Sequence, residues 1–361
     1  MMNGLDSQCE EWRFSDDPPV AAWNERIVLG SRLFEDIASD PAPRRALRTL
    51  LVGHSHDPDL LRIATQLSQA GAAVEVFLVD RVSRLPTLEL SATGHGRQYD
   101  VGYCRAFRPE QFIHFHFDRT LRRDDDWSAI DSSLAGHAAS QSRCLMWSWL
   151  TQVSVSRWVN SPWNLRDAEN KLTQLTYAQQ VGLVIPPTLV TSEVDQLRRF
   201  AKTCTTGVVH KSLGSPVVSL HDHGGRFLYT SSIVADDIDC LPYPCLFQQR
   251  LIPRAEHRVT VIGRRTFTAS LHRTGVQQAD WRRAAVDHQR FEHHELPEPL
   301  VAALRELMEA LHIQIGAVDL IETGDQTYFL EINPSAALMW LERALGMHLC
   351  QSVTNLILCG A

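Results

Sequence analysis

The sequence predicts a mixed α/β and α+β chain, and three observations carry that reading. A short apolar run, Leu47–Val52, is followed by a helical pattern from Asp59 to Ala70, a stop at Gly71 and a second apolar run, Val74–Val79. That is a β-α-β unit, and a crossover through a helix makes its strands parallel. Beyond Pro186-Pro187 the texture changes to short alternating runs of the kind that build antiparallel sheet. The tail returns to a helix and then to two strands joined by a turn.

Taken in order, residues 1–45 are acidic and interrupted by Pro18-Pro19, Pro41 and Pro43, without a sustained period, so an irregular or partly helical arm is expected. The β-α-β unit opens an αβ domain over residues 46–155, which closes with a helix from about Trp127 to Leu150. A second domain follows over 156–361, with a central lobe at about 186–250 and a C-terminal lobe at about 251–361. It begins with a helix over Asn164–Val181 and continues in strands at Thr188–Thr191, Gly207–Lys211, Val217–Leu220, Phe227–Tyr229, Cys245–Leu251, His257–Ile262 and Thr266–His272. A helix is expected over Pro297–His312, a hairpin over Ile315–Glu322 and Gln326–Ile332 with its turn at Gly324-Asp325, and closing helices from Leu338 onward.

Composition removes several classes of function. At 361 residues, 44% hydrophobic and 21% charged, the chain has the mix of an ordinary globular protein of two or three lobes. A net charge of −7 offers no basic footprint for nucleic acid. No run approaches the roughly 18 apolar residues that span a bilayer, and the opening MMNGLDSQCEEW lacks the basic and apolar regions of a signal peptide, so a cytoplasmic location without membrane contact is expected. The eight cysteines form no CxxC pair, which argues against a zinc ribbon or a dithiol redox site. The first turn of the β-α-β unit reads Gly53-His-Ser-His-Asp57 rather than GxGxxG, and no GxxxxGK[ST] loop occurs, which excludes the common dinucleotide and P-loop signatures.

The chemistry concentrates in Gly316-Ala-Val-Asp319-Leu-Ile-Glu322 and Tyr328-Phe-Leu-Glu331-Ile-Asn333-Pro334. Alternation along a strand puts Glu331 and Asn333 on one face, and a hairpin partner brings Asp319 alongside. Two carboxylates and an amide oxygen are hard ligands suited to Mg²⁺, which completes its shell with water and nucleotide phosphates. These acids sit inside apolar runs, where an uncompensated charge is costly, so a merely solvated hairpin is the poorer reading. Phosphates at such a site need cations opposite. The chain has three lysines in all, Lys171, Lys202 and Lys211, and two of them, Lys171 in a helix and Lys211 at a strand end, are placed to supply compact charge.

The ordered series Lys171, Gly182–Thr191, Lys211, Leu246-Phe-Gln-Gln-Arg-Leu-Ile252, Glu256-His-Arg258–Gly263, Asp319 and Glu331-Ile-Asn333-Pro resembles an ATP-grasp ligase. More narrowly, Trp158-Val-Asn160-Ser-Pro162, Asp280-Trp281-Arg282 and Glu331–Glu342 resemble the microviridin or graspetide group of ATP-grasp maturases, which cyclise ribosomally made peptides. The resemblance implies a pre-ATP-grasp αβ lobe at 46–155 and an ATP-grasp domain at 156–361. It implies that Lys171 and Lys211 contact the ATP phosphates, that the backbone of Phe247, Gln248, Gln249, Arg250 and Leu251 forms a hinge against the purine, and that Glu256 or Gln249 meets the ribose. It further implies that Arg258 and Arg282 face phosphate or the substrate carboxylate, and that Asp319, Glu331 and Asn333 hold Mg²⁺. The implied reaction activates a carboxylate as an acyl phosphate and captures it with an alcohol or amine, releasing ADP and phosphate. A precursor peptide is the implied partner and a homodimer the implied assembly.

The sequence departs from the family pattern at Ser212, where proline is usual, at Gln248-Gln249, where an acid is common, and at Ser335-Ala-Ala337, where a glycine often follows the Asn-Pro. His54-x-His56, His114-x-His116, His221-x-His223 and His293-His294 lack a third ligand at sensible spacing and read as surface or turn histidines. Two alternatives stand beside peptide macrocyclisation: a ligase that joins small amino acids or extends a peptide end, and a catalytically silent ATP-grasp protein that binds peptide or nucleotide.

Overall fold

The computed structural model describes residues 10–12, 46–79, 98–107, 132–214, 217–219, 225–227, 230–272, 291–324 and 326–360. Glu10–Trp12 forms a short strand, β1, within the stretch read from sequence as an irregular or partly helical arm. The chain divides into two compact units. One contains residues 18–165, 337–339 and 348–361, and the other contains 1–17, 166–336 and 340–347.

The first unit is built on a four-stranded sheet of strands β2 (Arg48–Gly53), β3 (Ala73–Leu78), β4 (Gln98–Cys104) and β5 (Ser154–Val159), in the order β3-β2-β4-β5. All three pairings are parallel, as the β-α-β pattern requires. Helix α1 (Pro58–Gln69) joins β2 to β3. The Asp57 carboxylate accepts from the N–H groups of Asp59 and Leu60, and Pro58 occupies the position where a missing N–H costs nothing. Helix α2 (Ser132–Thr151) precedes β5 and buries Met146, Trp149 and Leu150 with Leu50, Val52 and Phe77 of the sheet. At the C-terminal ends of the strands, Arg105 is buried between Asp57 at 2.5 Å and Asp59 at 3.0 Å. Asp59 in turn accepts from the N–H groups of Leu338 and Met339, each at 2.9 Å. Burial pushes the neighbouring Tyr103 hydroxyl up to about 12, so it stays protonated beside this cluster. Trp158, from the Trp-Val-Asn motif, lies against Gly102, where a Cβ would come within 2.6 Å of its ring.

A helix α3 (Pro162–Ala168) and a helix α4 (Lys171–Gln180) replace the single helix read over 164–181. The break has a plain cause: Asn170 adopts an extended conformation and accepts from the N–H groups of Leu172 and Thr173, which starts a new helix. The second helix ends at Gly182, whose φ of 82° favours glycine.

In the second unit, β6 (Thr188–Thr191), helix α5 (Val194–Thr203), β7 (Val208–Lys211), β8 (Val217–Ser219), β9 (Gly225–Phe227), β10 (Ser231–Ile233) and β11 (Cys245–Gln249) follow in order. They give an antiparallel sheet β10-β7-β11-β6 and a small sheet β1-β9-β8. Next come β12 (Ala255–Ile262), β13 (Arg265–His272), β14 (Phe291–His294), helix α6 (Glu298–Ala310), β15 (Ile315–Glu322) and β16 (Thr327–Asn333). Their sheet runs β14-β13-β12-β15-β16. One of its faces is covered by α4 and α6, where Leu175, Ala178, Leu304, Leu307 and Met308 pack with Val259, Val261, Val318, Leu320, Phe329 and Ile332. Each such buried aliphatic or aromatic side chain contributes about 1.5 to 3 kcal/mol. Helices at Met339–Leu345 and Leu349–Cys359 close the chain. Among the described residues, no helix is long and apolar enough to cross a membrane.

Candidate functional site

The face of the five-stranded sheet opposite the α4–α6 core carries the acids. Register sets them side by side: Arg258 pairs with Asp319, Asp319 with Glu331, and Ala317 with Asn333. Because pairs across a sheet share a face, Arg258, Asp319, Glu331 and Asn333 converge from three adjacent strands. The strand is not regular here. Asp319 pairs with Glu331 but the next residue, Leu320, pairs with Phe329, so Leu330 is an extra residue in β16. Without that bulge, Phe329 and Glu331 would share a face. With it, Phe329 enters the core at 1% exposure while Glu331 faces the acids.

The charges are neutralised locally. Arg258 Nη1 donates to Asp319 Oδ1 at 2.7 Å, and Asn333 Nδ2 donates to Asp319 Oδ2 at 3.3 Å. Lys171 Nζ lies 3.4 Å from Glu331 Oε2 and donates to the carbonyl of Gly214 at 3.0 Å. Asp319 is 8% exposed, so its charge depends on these partners. Arg258 Nε is buried with no hydrogen-bond partner among the described residues, which leaves donor capacity at the same place.

A cleft of about 920 Å³ of empty space, partly open to solvent, lies over this cluster within the second unit. Its walls include Val209 and Lys211 of β7, Gln248 and Gln249 of β11, Arg250 and Leu251 beyond it, Glu256 and Arg258 of β12, and Asp319 and Glu331. Lys211, Gln248, Gln249, Arg250, Leu251, Glu256, Arg258, Asp319 and Glu331 are thus gathered around one space, with Lys171 and Asn333 bonded to its acids. Phe247 is placed differently. Its side chain is 2% exposed in the core beside Leu197 and Val208, with the His210 ring 5.6 Å away, so only its backbone belongs to the hinge strand. Arg282, with Asp280 and Trp281, lies outside the described residues. So do His114, His116, His221 and His223.

The hinge itself is tied down. Gln248 Nε2 donates to Thr188 Oγ1 at 3.0 Å and Gln249 Nε2 to Thr206 Oγ1 at 3.2 Å. The N–H groups of Gln249 and Arg250 donate to the carbonyls of Pro187 and Gly207, each at 2.9 Å. With both glutamine amides engaged in this scaffold, Glu256 is the acid that faces the cleft on the hinge side. Burial holds the His210 imidazole below its ordinary range, so it is neutral near pH 7 beside Lys211. Among the described residues no three His, Cys, Asp or Glu side chains are grouped to hold a metal ion. The donor set at the cleft is instead two carboxylates with one amide, which matches Mg²⁺ shared with phosphates.

The sequence reading passed over Gln174. It is 2% exposed on α4 and bonds to the backbone of β16 at Ile332, between Glu331 and Asn333. A polar residue between the buried Leu175 and the helix start was the available signal.

The macrocyclase MdnC from Microcystis aeruginosa, bound with precursor peptide MdnA, superposes with a TM-score of 0.70 at 24% identity, over 87% of this chain and 100% of that one. This chain has the ATP-grasp fold. An ATP-grasp ligase from Chryseobacterium gregarium, in complex with ADP and a leader and core peptide, gives a TM-score of 0.69 at 20% identity over 87% of this chain and 97% of that one. The ATP-grasp ligase PsnB, with minimal precursor, Mg and ADP, gives 0.65 at 19% identity over 86% and 96%. Neither a family model nor a curated protein matches the sequence. In ATP-grasp terms, the β10-β7-β11-β6 sheet and the β14-β13-β12-β15-β16 sheet are the two halves that border the cleft.

Proposed function

We propose that this chain is an ATP- and Mg²⁺-dependent ligase that activates Asp or Glu side chains of a ribosomal precursor peptide and joins them to Ser, Thr or Lys side chains as ester or amide macrocycles. The observation that carries this reading is the Asp319–Glu331–Asn333 cluster, flanked by Lys171 and Arg258, on the floor of a cleft walled by Lys211 and the Gln248–Leu251 hinge. The fold neighbours that contain precursor peptides support the substrate class.

In this reading Lys211 and Lys171 hold the ATP phosphates, the backbone of 247–251 lies against the purine, and Glu256 accepts from the ribose hydroxyls. Asp319, Glu331 and Asn333 hold Mg²⁺, which when bound offsets charge on the phosphates and on the transferring phosphoryl group. A carboxylate oxygen of the peptide attacks the γ-phosphorus and the bond to ADP breaks, giving an acyl phosphate. The hydroxyl or amine then attacks the carbonyl carbon, phosphate leaves, and the nucleophile's proton is lost. The peptide has then lost one water per ring, and one ATP has become ADP and phosphate. Arg258 holds the carboxyl or phosphoryl oxygens in line, where its fixed charge acts in a partly water-excluded site. Arg282 is assigned, with Arg258, to phosphate or the substrate carboxylate. No protein nucleophile is needed. The homodimer belongs to the same reading and is checked by light scattering.

The test is mass spectrometry on a short acid- and Ser/Thr/Lys-rich peptide encoded beside this gene, incubated with enzyme, ATP and Mg²⁺, with ADP followed in the same tube. Loss of one or more waters with matching ADP is the expected result. ADP with a gain in mass redirects the assignment to intermolecular ligation, and ATP binding with no ADP from any such peptide refutes the catalytic reading.

A further inference from the structure

On the outer edge of β16 the Phe329 N–H donates to the Val184 carbonyl at 2.8 Å, and at Ile332 the edge is closed by a side chain. Ile332 donates its N–H to Gln174 Oε1 at 2.9 Å, and Gln174 Nε2 donates to the Ile332 carbonyl at 2.8 Å and to the Ala168 carbonyl at 2.6 Å. The glutamine amide thereby makes the two bonds that a further strand would make, and it is 2% exposed while doing so. Ile332 lies between Glu331 and Asn333, so the clamp grips the backbone between the carboxylate and the amide. Its place on α4 adds a second constraint. Lys171 is one turn earlier on the same helix, and residues three apart share a face. The bonds that fix Gln174 to Ile332 therefore fix the distance between Lys171 and Glu331.

We infer that Gln174 is a positioning residue for the metal and phosphate site: its amide sets the rotation of β16 that aims Glu331 and Asn333, and the seat of α4 that aims Lys171. The inference rests on the assignment of Asp319, Glu331 and Asn333 as the metal-holding set. Only a glutamine meets the geometry. Asparagine is one methylene short, leucine can neither donate nor accept, and glutamate accepts from the Ile332 N–H but offers the two carbonyls no donor when ionised and a single O–H when protonated.

The experiment uses the full chain with ADP and Mn²⁺, read by the electron paramagnetic resonance of free Mn²⁺. In Gln174→Leu, Mn²⁺ affinity should fall about tenfold or more, while the circular dichroism spectrum is retained. Gln174→Glu supplies a reversible version that does not depend on how well the leucine variant folds. Two facing carbonyls disfavour the charged carboxylate, so the folded pKa is raised; below it the single carboxyl O–H donates to one of the two carbonyls and restores part of the clamp. Mn²⁺ affinity of Gln174→Glu relative to wild type should therefore fall as pH rises. A packing role alone would leave that ratio flat with pH and leave Mn²⁺ affinity per folded molecule of Gln174→Leu at the wild-type value; that outcome overturns the inference. Absence of Mn²⁺ binding in the wild type, or wild-type binding in Glu331→Gln, refutes the metal assignment itself and the inference with it.

Discussion

Replacing Arg258 by leucine tests whether the cleft's acids are held by charge pairing. Arg258 Nη1 meets Asp319 Oδ1 at 2.7 Å, and the two side chains retain only 10% and 11% exposure. Removing one partner of a buried pair costs about 3 to 5 kcal/mol, and the low end applies here because Asn333 still donates to Asp319 at 3.3 Å. A loss of about 3 kcal/mol lowers the folded-to-unfolded ratio roughly 150-fold. The assay is urea denaturation followed by circular dichroism, in chelator and without nucleotide, on Arg258→Leu, Asp319→Asn and the double variant. If the pair is coupled, the double variant should lose about 1 to 3 kcal/mol less than the sum of the singles. Additive losses, or an Arg258→Leu cost below about 1 kcal/mol, would refute the claim that Asp319 depends on Arg258 for its charge.

Three further outcomes are expected. Glu331→Gln keeps the fold, because Lys171 tolerates an amide partner, but lowers Mg²⁺-dependent ADP release about a hundredfold or more; turnover at the wild-type rate would contradict the ligand assignment. Gly102→Ala places a Cβ 2.6 Å from Trp158 Cε3, a rigid ring atom, and should cost about 1 to 3 kcal/mol in a urea titration while ADP release per folded molecule is unchanged. Burial depresses the His210 pKa, so the unfolded chain takes up the proton first and stability falls as pH drops through about 6.5. Urea midpoints at about pH 7.5 and about pH 5.5 should differ less in His210→Gln than in wild type, and an equal difference would show that other groups dominate.

Much of the fold was legible because its patterns are local. The parallel β2-α1-β3 unit follows from two apolar runs around an amphipathic helix with an Asp57 cap, and the β15–β16 hairpin from two runs around a turn, with the N–H of Thr323 donating to the Gln326 carbonyl at 2.8 Å. What was missed is short or depends on partners far along the chain. β10, Ser231–Ile233, has three polar or half-buried residues and exists because His210, Val209 and Val208 pair with it. β14 reads Phe-Glu-His-His, which has no strand pattern, and is held by Thr268–Leu271. Helix α5, Val194–Thr203, was overlooked because Glu193 supplies no side-chain cap and Leu197 is its single fully buried residue.

The candidate site was legible in its residue types but not in its geometry. Strict alternation correctly placed Glu331 and Asn333 on one face, yet the same rule carried back two residues puts Phe329 with them, in a cleft rather than a core. The burial pattern of β16 shows the conflict directly: Phe329 and Ile332 are both in the core, three residues apart where a regular strand allows two or four. A carboxylate facing Lys171 and an aromatic ring in the core on the other face of the sheet cannot both be satisfied by a regular strand of this sequence. The extra residue, Leu330, resolves the conflict, and it does so between Phe329 and Glu331, the only stretch where the face must change. The clamp on Ile332 then stands two residues beyond the phase change, where a bulged edge strand would otherwise be freest to rotate. Bulge and clamp are thus two parts of one solution to a pattern that the sequence carries openly: an acid and an amide spaced for a strand, preceded by an aromatic residue spaced against it.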